Sequence, residues 1–313
     1  MNYQVKVYRF FGTFIGRQIL RQLSKSVYVK NLNKKNQKNK PPFIIAFTID
    51  IESGYVSGDE SRVWQKANPK AYVGYYKGIE NWRKLLNKYG IKATFFISTN
   101  CFSAKGPESK RIMEQLNLLI DEKHEIGLHM HPDSDLSLQK ELNKTFQHTS
   151  SRFYDYNQIN QFIKSSKNLI KANLKITPTS FRWGNWALSS DAVKALQENG
   201  FKIDSSATPG IKGHLKDGMH YDWSNVKGHY PWKLSIDDYR DTKSQNSNIV
   251  EIPIATFNFM GSTLRADPVY TELLKSAFKD YYENAERPFI FVIISHSIES
   301  THKDGSVTRV VND

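Results

Sequence analysis

Asp50 and Glu52 stand two residues apart at the end of the apolar run FIIAFTIDIE, residues 43–52. Such a run reads as a strand covered on both faces, and positions i and i+2 of a strand point to the same side. Two carboxylates on one side repel unless a cation or a proton lies between them. His129 and His131 repeat that spacing at the end of a second run, HEIGLHMHPD. Neutral imidazole is the commonest nitrogen ligand for zinc, and two histidines with one carboxylate leave a fourth position for water in a catalytic site. Either pair alone is a weak signal. Together they point to a metal site, because the strand ends of a barrel converge on one face. His124, ahead of the second run, is expected at the surface.

Three more polar residues end predicted strands: Arg182 after Ser180-Phe181, Asp204 after Lys202-Ile203, and His296 after FIFVIIS. With the carboxylate and histidine pairs they could supply a base, a metal site, a charged tuner, an acid and a group that orients the acid.

The intervening chain must bring these strand ends together. Strands are predicted at 43–52, 91–98, 125–130, 177–182, 201–204, 249–254 and 288–295. Helices are predicted at 75–89, 107–122, 157–172, 189–199 and 268–286, with Gly90 and Gly200 as stops and Ser189 as an N-cap. Helices and strands alternating at short intervals define an α/β protein with a parallel sheet or barrel. Residues 132–156 and 208–247 lack clear periodicity and read as long loops.

The net charge of +13 is unevenly placed. Residues 1–40 hold ten Lys and Arg and no Asp or Glu, whereas the remaining chain is near neutral. This argues against a nucleic-acid partner for the globular part. Within the arm, Phe10, Phe11, Phe14, Ile15, Ile19, Leu20 and Leu23 approximate a helical stripe. The stripe could lie on an anionic membrane surface or pack on the domain. Residues 30–40 read as a polar linker, so the division is an arm at 1–40 and a barrel at 41–313. Arg9, Arg17 and Arg21 interrupt any signal-peptide core, giving an expected location in the cytoplasm or peripheral at the membrane. The single cysteine, Cys101, excludes a disulfide within the chain.

The motifs FTIDIE, KATFF, HEIGLHMHP, SFRWGNW, IDSS and IISHS, in that order, resemble the NodB-type polysaccharide deacetylases (carbohydrate esterase family 4), in particular a subgroup with D-x-E and H-x-H motifs. The resemblance covers residues 43–313. It implies a distorted (β/α) barrel of about seven parallel strands. The implied activity is metal-dependent hydrolysis of acetyl groups from a sugar or polysaccharide, with an acetylated glycan as substrate. It implies one divalent ion, zinc first among the candidates, held by Glu52, His129 and His131. By the same resemblance Asp50 is the general base, Arg182 pairs with Asp50, His296 is the general acid and Asp204 orients His296. Trp183 and Trp186 are expected to bind substrate, within a wider set of aromatics (Tyr55, Tyr75, Tyr76, Tyr221, Trp223 and Trp232) that could line a glycan groove. The family's usual H-x-x-x-H is here H-x-H, which leaves Asp133 as a reserve ligand. A last helix is expected beyond Asp313. The competing reading is a catalytically silent glycan-binding barrel tethered by its basic arm.

Overall fold

The computed structural model describes residues 40–54, 68–215, 218–226, 229–259, 261–302, 305–308 and 310–311. Residues 1–39, most of the basic arm, and Tyr55 lie outside the described residues.

Strand β1 (Phe43–Ile51) is followed by a π-helical turn (Gly74–Gly78) running into α1 (Ile79–Lys88), then β2 (Thr94–Ser98), α2 (Gly106–Asp121) and β3 (Glu125–Met130). Next come α3 (Leu136–Glu141), α4 (Tyr156–Leu174), β4 (Ser180–Trp183), α5 (Ser190–Glu198) and β5 (Ile203–Asp204). Two hairpin strands, β6 (Lys212–Leu215) and β7 (Gly218–Asp222), precede β8 (Trp232–Lys233) and β9 (Val250–Glu251). A second hairpin, β10 (Thr256–Phe259) and β11 (Ser262–Arg265), leads to α6 (Thr271–Asn284) and β12 (Phe289–His296).

The main sheet has eight strands in the order β12-β1-β2-β3-β4-β5-β9-β8. The first seven are parallel, and β8 pairs antiparallel at the edge. A parallel bridge between Ile254 and Val292 returns the chain after β9 to β12, so the sheet curls toward closure. This is the expected distorted (β/α) barrel.

Alternation along each strand divides the side chains. Ile49, Ile51, Phe95, Ile97, Leu128 and Phe181 join the core, where Trp82 and Leu86 of α1, Leu116 of α2 and Phe162 of α4 also pack. Thr48 and Asp50 occupy the alternate positions of β1, and Thr48 and Asp50 both meet Arg182 of β4.

The helices follow their local signals. Ser189 caps α5 by accepting from the Ala192 N–H, and Asp155 with Gln158 forms a capping box on α4. The predicted helix at 75–89 instead begins as a wide π turn. At Gly78 a Cβ would stand 2.4 Å from the Ser297 carbonyl oxygen, so this turn lies flat on the chain after β12. The predicted loops hold structure as well: α3 within 132–156, and β6, β7 and β8 within 208–247. Elements this short are too brief for a readable period. His124 is not at the surface. It is buried, with its ring edge-on to Phe95 and Nδ1 accepting from the Ala93 N–H at 3.2 Å.

Candidate active site

The site lies at the C-terminal ends of β1, β3, β4 and β12. β1 and β12 are in register with Asp50 opposite His296, and β3 and β4 with His129 opposite Arg182. Glu52 Oε2 is 3.0 Å from His131 Nε2 and 3.6 Å from His129 Nε2, and the two Nε2 atoms are 3.1 Å apart. These three residues form a cluster able to hold a metal ion.

The ring orientations decide what the cluster accepts. His129 Nδ1 lies 3.1 Å from the Arg182 carbonyl oxygen, which can only accept, so the proton sits on Nδ1 and Nε2 presents its lone pair. Thr149 Oγ1 donates to Asp133 at 2.5 Å, and its lone pairs face His131 Nδ1 at 3.5 Å. His131 therefore also presents Nε2. Two lone pairs and a carboxylate oxygen aimed at one point call for a cation. Ligands about 2.0–2.2 Å from a tetrahedral zinc are about 3.3–3.6 Å from one another, close to the observed triangle. The residues fit a divalent metal. Asp133, the reserve ligand, instead lies behind His131 through Thr149, in the manner of the outer-shell carboxylates of metal sites.

The titration directions describe the cluster when a proton on the histidines takes the place of the cation. Burial would raise the Glu52 pKa, but hydrogen bonds from His129 and His131 and the nearby histidine charges outweigh it and hold Glu52 well below the usual range. Burial would lower His131, but Glu52 pulls it up.

Asp50 is buried beside this cluster. Its Oδ1 accepts from Arg182 Nη1 at 2.7 Å, while Oδ2 stands 3.9 Å from both His129 Nε2 and His296 Nε2. Arg182 is itself fixed on all sides: Nε to the Ser205 carbonyl, Nη2 to Thr48 and Ser205 hydroxyls, and the guanidinium over Phe96 at 4.3 Å. One Asp50 oxygen is thus held, and the other faces the cluster.

His296 Nε2 lies 3.7 Å from Glu52 Oε1 and 3.9 Å from Asp50 Oδ2. Its Nδ1 is 3.2 Å from Glu299, which also receives the His296 backbone N–H and the Ser295 hydroxyl. Burial would lower His296, but the charges of Glu299, Glu52 and Asp50 outweigh it and raise its pKa to about 10. The sequence reading gave Asp204 the task of orienting His296. The structure puts Glu299 there, three residues on along the turn after β12. Asp204 instead accepts from the Ser206 N–H and hydroxyl, in register with Glu251 of β9. Burial raises the pKa of both carboxyls of this pair, and the charge of Asp204 raises Glu251 further.

The expected substrate platforms are placed differently. Trp183 is wholly buried, and its indole N–H donates to the Thr149 carbonyl at 2.8 Å, so it supports the His131 side of the site and has no face free for a sugar. Trp186 is nearly buried, with the Arg265 guanidinium 4.0 Å over its ring. Tyr75, Trp223 and Trp232 are also buried. Gly184 lies between the two tryptophans: a Cβ there would stand 2.4–2.6 Å from the His131 ring. Sequence reasoning did not single out Glu299 or Thr149. The spacing His296-Ser-Ile-Glu299 was the available signal for the first. Thr149 sits in an aperiodic stretch and gave none.

Residues 73–203 match the family model described as polysaccharide deacetylase. The family expected from the motifs is thereby borne out. The match spans β2 to β5, with His129, His131 and Arg182, while Asp50, Glu52 and His296 lie outside it. Among solved structures the chain is similar to a protein assigned as a polysaccharide deacetylase from Mycobacterium smegmatis: 16% identity, TM-score 0.54, covering 86% of this chain and 82% of that one. It is also similar to a probable polysaccharide deacetylase from Pseudomonas aeruginosa PAO1, at 14% identity and TM-score 0.53 over 86% and 84% of the two chains. A third is PuuE allantoinase, at 15% identity and TM-score 0.54 over 83% and 80%. At such identities these likenesses establish the fold. A comparison with curated proteins yields no match.

Proposed function

We propose that the protein is a metal-dependent carbohydrate deacetylase that hydrolyses acetyl groups from a sugar or polysaccharide. The observation that carries this reading is the convergence of Glu52, His129 and His131 on one point, with Asp50 and His296 both beside it and 3.9 Å from each other.

Glu52 Oε2 and the two Nε2 atoms would hold one divalent ion, with zinc favoured by the two-imidazole, one-carboxylate donor set. When bound, such an ion polarises the acetyl carbonyl and lowers the pKa of a coordinated water toward ~7. Asp50 Oδ2 takes the proton of the attacking water, while Arg182 keeps Oδ1 fixed. His296 Nε2, oriented from behind by Glu299, gives a proton to the leaving nitrogen or oxygen as the acetyl C–N or C–O bond breaks. The products are acetate and a free amine or hydroxyl. A silent glycan-binding barrel would have no need for a carboxylate and an imidazole held so close to three candidate metal ligands.

Acetate release from a panel of N- and O-acetylated glycans, with and without chelator, tests the proposal. Chelator-sensitive release supports it. No release from any glycan by protein loaded with a stoichiometric metal would overturn it.

A further inference from the structure

We propose that Glu251 and Asp204 hold one proton between them and act together as a positioning pair for Arg182. The two residues are level on the adjacent parallel strands β5 and β9, so their side chains share one side of the sheet. Phe181 of β4 lies level with Asp204, and Trp232 of β8 with Glu251. The row is thus two acids between two buried aromatic residues, and both acids are wholly buried. Arg182 is the cation that acts on the pair, and its Nη1 is already committed to Asp50. Asp204 Oδ2 accepts from the Ser206 N–H at 3.0 Å and Oδ1 from the Ser206 hydroxyl at 2.9 Å. Glu251 Oε1 accepts from the Ala207 N–H at 2.9 Å. Glu251 Oε2 is buried and receives no hydrogen bond among the described residues. Were Glu251 ionised, that oxygen would be a buried charge without a donor, beside a second carboxylate. A proton on Oε2 removes the charge and supplies a donor to Asp204, which stays ionised. Hydrogen bonds from an acid to a carboxylate are among the strong ones. The two side chains do bond to each other, and burial raises the pKa of both, Glu251 the further.

The pair reaches the site through residues 205–207. The Ser206 hydroxyl donates to Asp204 and accepts from the Trp183 N–H at 2.8 Å, and Glu251 fixes Ala207. Ser205 stands between these anchored residues. Its carbonyl receives Arg182 Nε at 2.8 Å and its hydroxyl receives Nη2 at 2.9 Å. Arg182 and Ser205 point to the other side of the same strands, where Nη1 reaches Asp50. Glu251 therefore touches no reacting atom and acts through Asp204, Ser205 and Arg182. A role in turnover rests on the deacetylase reading, whereas the shared proton and the hold on Arg182 do not.

Infrared spectroscopy of the full-length protein at about pH 8 tests the proton, since Asp135, with its pKa of about 6, is then ionised. The parent should show a carboxylic-acid carbonyl band that is lost in Glu251→Gln. No such band in the parent, or a band unchanged in Glu251→Gln, overturns the proposal. Nitrogen-15 NMR of the arginine side chains, with Arg182 assigned through Arg182→Lys, tests the positioning without reference to activity. The Arg182 Nε–H should exchange slowly with solvent in the parent. Glu251→Gln should match it, because the amide donates to Asp204 and accepts from Ala207 as the neutral acid does. Glu251→Leu should exchange at least about tenfold faster. Parent-like protection in Glu251→Leu overturns the positioning role. Acetate release should follow the same order, with kcat near the parent value in Glu251→Gln and about 10²-fold lower in Glu251→Leu, KM and metal content being little changed. A Gln variant as impaired as the Leu variant would mean that a carboxylate is needed there, and also overturns the proposal. Should Glu251→Leu misfold, Ser206→Ala, which cuts the link from Asp204 to the Trp183 N–H, carries the same comparison. No acetate release by the parent, with the spectroscopic results as expected, would overturn the deacetylase reading and support the pair.

Discussion

His129 and His131 hold their Nε2 atoms 3.1 Å apart while both Nδ1 atoms turn to oxygen acceptors. Two imidazole lone pairs at this distance are stable only with positive charge between them, and the Glu52 carboxylate 3.0 Å from His131 completes the demand. The end of β3 and the residue just after it thus place two candidate ligands side by side on one segment.

The first prediction separates ligand from support. His131→Ala should abolish stoichiometric metal binding. Asp133→Asn should retain the metal with affinity lowered ~10–100-fold, the range for losing an outer-shell partner. Metal titration of both variants is the check, and the opposite order would make Asp133 the ligand.

The second concerns Asp50. Asp50→Asn preserves shape and the contact with Arg182 but cannot take up a proton. It should keep its metal and lose ~10²–10⁴ in turnover. Metal content and acetate release, measured on the same preparation, test it.

The third concerns the close approach at Gly184. Gly184→Ala puts a methyl where the His131 ring now lies, so the ring must swing away from the cluster. Metal affinity should fall at least about tenfold while far-ultraviolet circular dichroism stays at the parent level. Parent-like affinity would show that the ring or backbone gives way without consequence.

The fourth concerns Glu299. Glu299→Gln keeps an oxygen near His296 but removes the charge. It should lower kcat with KM nearly unchanged and metal content intact, because the residue acts only through His296. A rise in KM alone would instead place Glu299 in substrate binding.

The fifth concerns pH and stability. Burial pushes the Asp135 carboxyl up to about 6. Asp135 caps α3 through the Leu138 N–H and accepts from the Thr99 hydroxyl. Its unfolded value is near ~3.9. Between that value and about 6 the folded state holds the extra proton, so stability falls as pH rises through this window and then levels off. Asp135→Asn caps equally well and does not titrate. Its stability relative to the parent should therefore increase from pH 4 to pH 7, by an amount of order 3 kcal/mol at most. Urea unfolding of both proteins at the two pH values decides, and a constant difference would rule out this titration.

Much of the barrel was legible because its signals are local. The apolar runs of β1, β3 and β12 and the caps Ser189 and Gly200 specify elements without reference to the rest of the chain. The D-x-E and H-x-H pairs were legible for the same reason, since a two-residue spacing on a strand fixes a common side. What was not legible depends on distant contacts. Trp183 reads as a platform by its type, but its indole is committed to the Thr149 carbonyl. Asp204 and Glu299 are both acids near strand ends, and only the turn after β12 decides which one meets His296. His124 reads as a polar residue before a strand, but Phe95 and the Ala93 N–H enclose it.

The pairing of β1 with β12 also has a consequence for biosynthesis. Thr48 donates to the carbonyl of Ile293, a partner 245 residues later in the chain. At a translation rate of roughly 5–20 residues per second, β1 leaves the ribosome roughly 12–50 s before its neighbour exists. During that interval one edge of an apolar strand stands open, and such an edge is a template for pairing with other chains. His296 arrives on the same late strand, so the proposed acid joins the proposed base, Asp50, only as that edge closes. The nascent protein can be fully occupied with helices and most of its sheet and still lack a working site, and its most aggregation-prone surface is shielded by the same event that completes the chemistry.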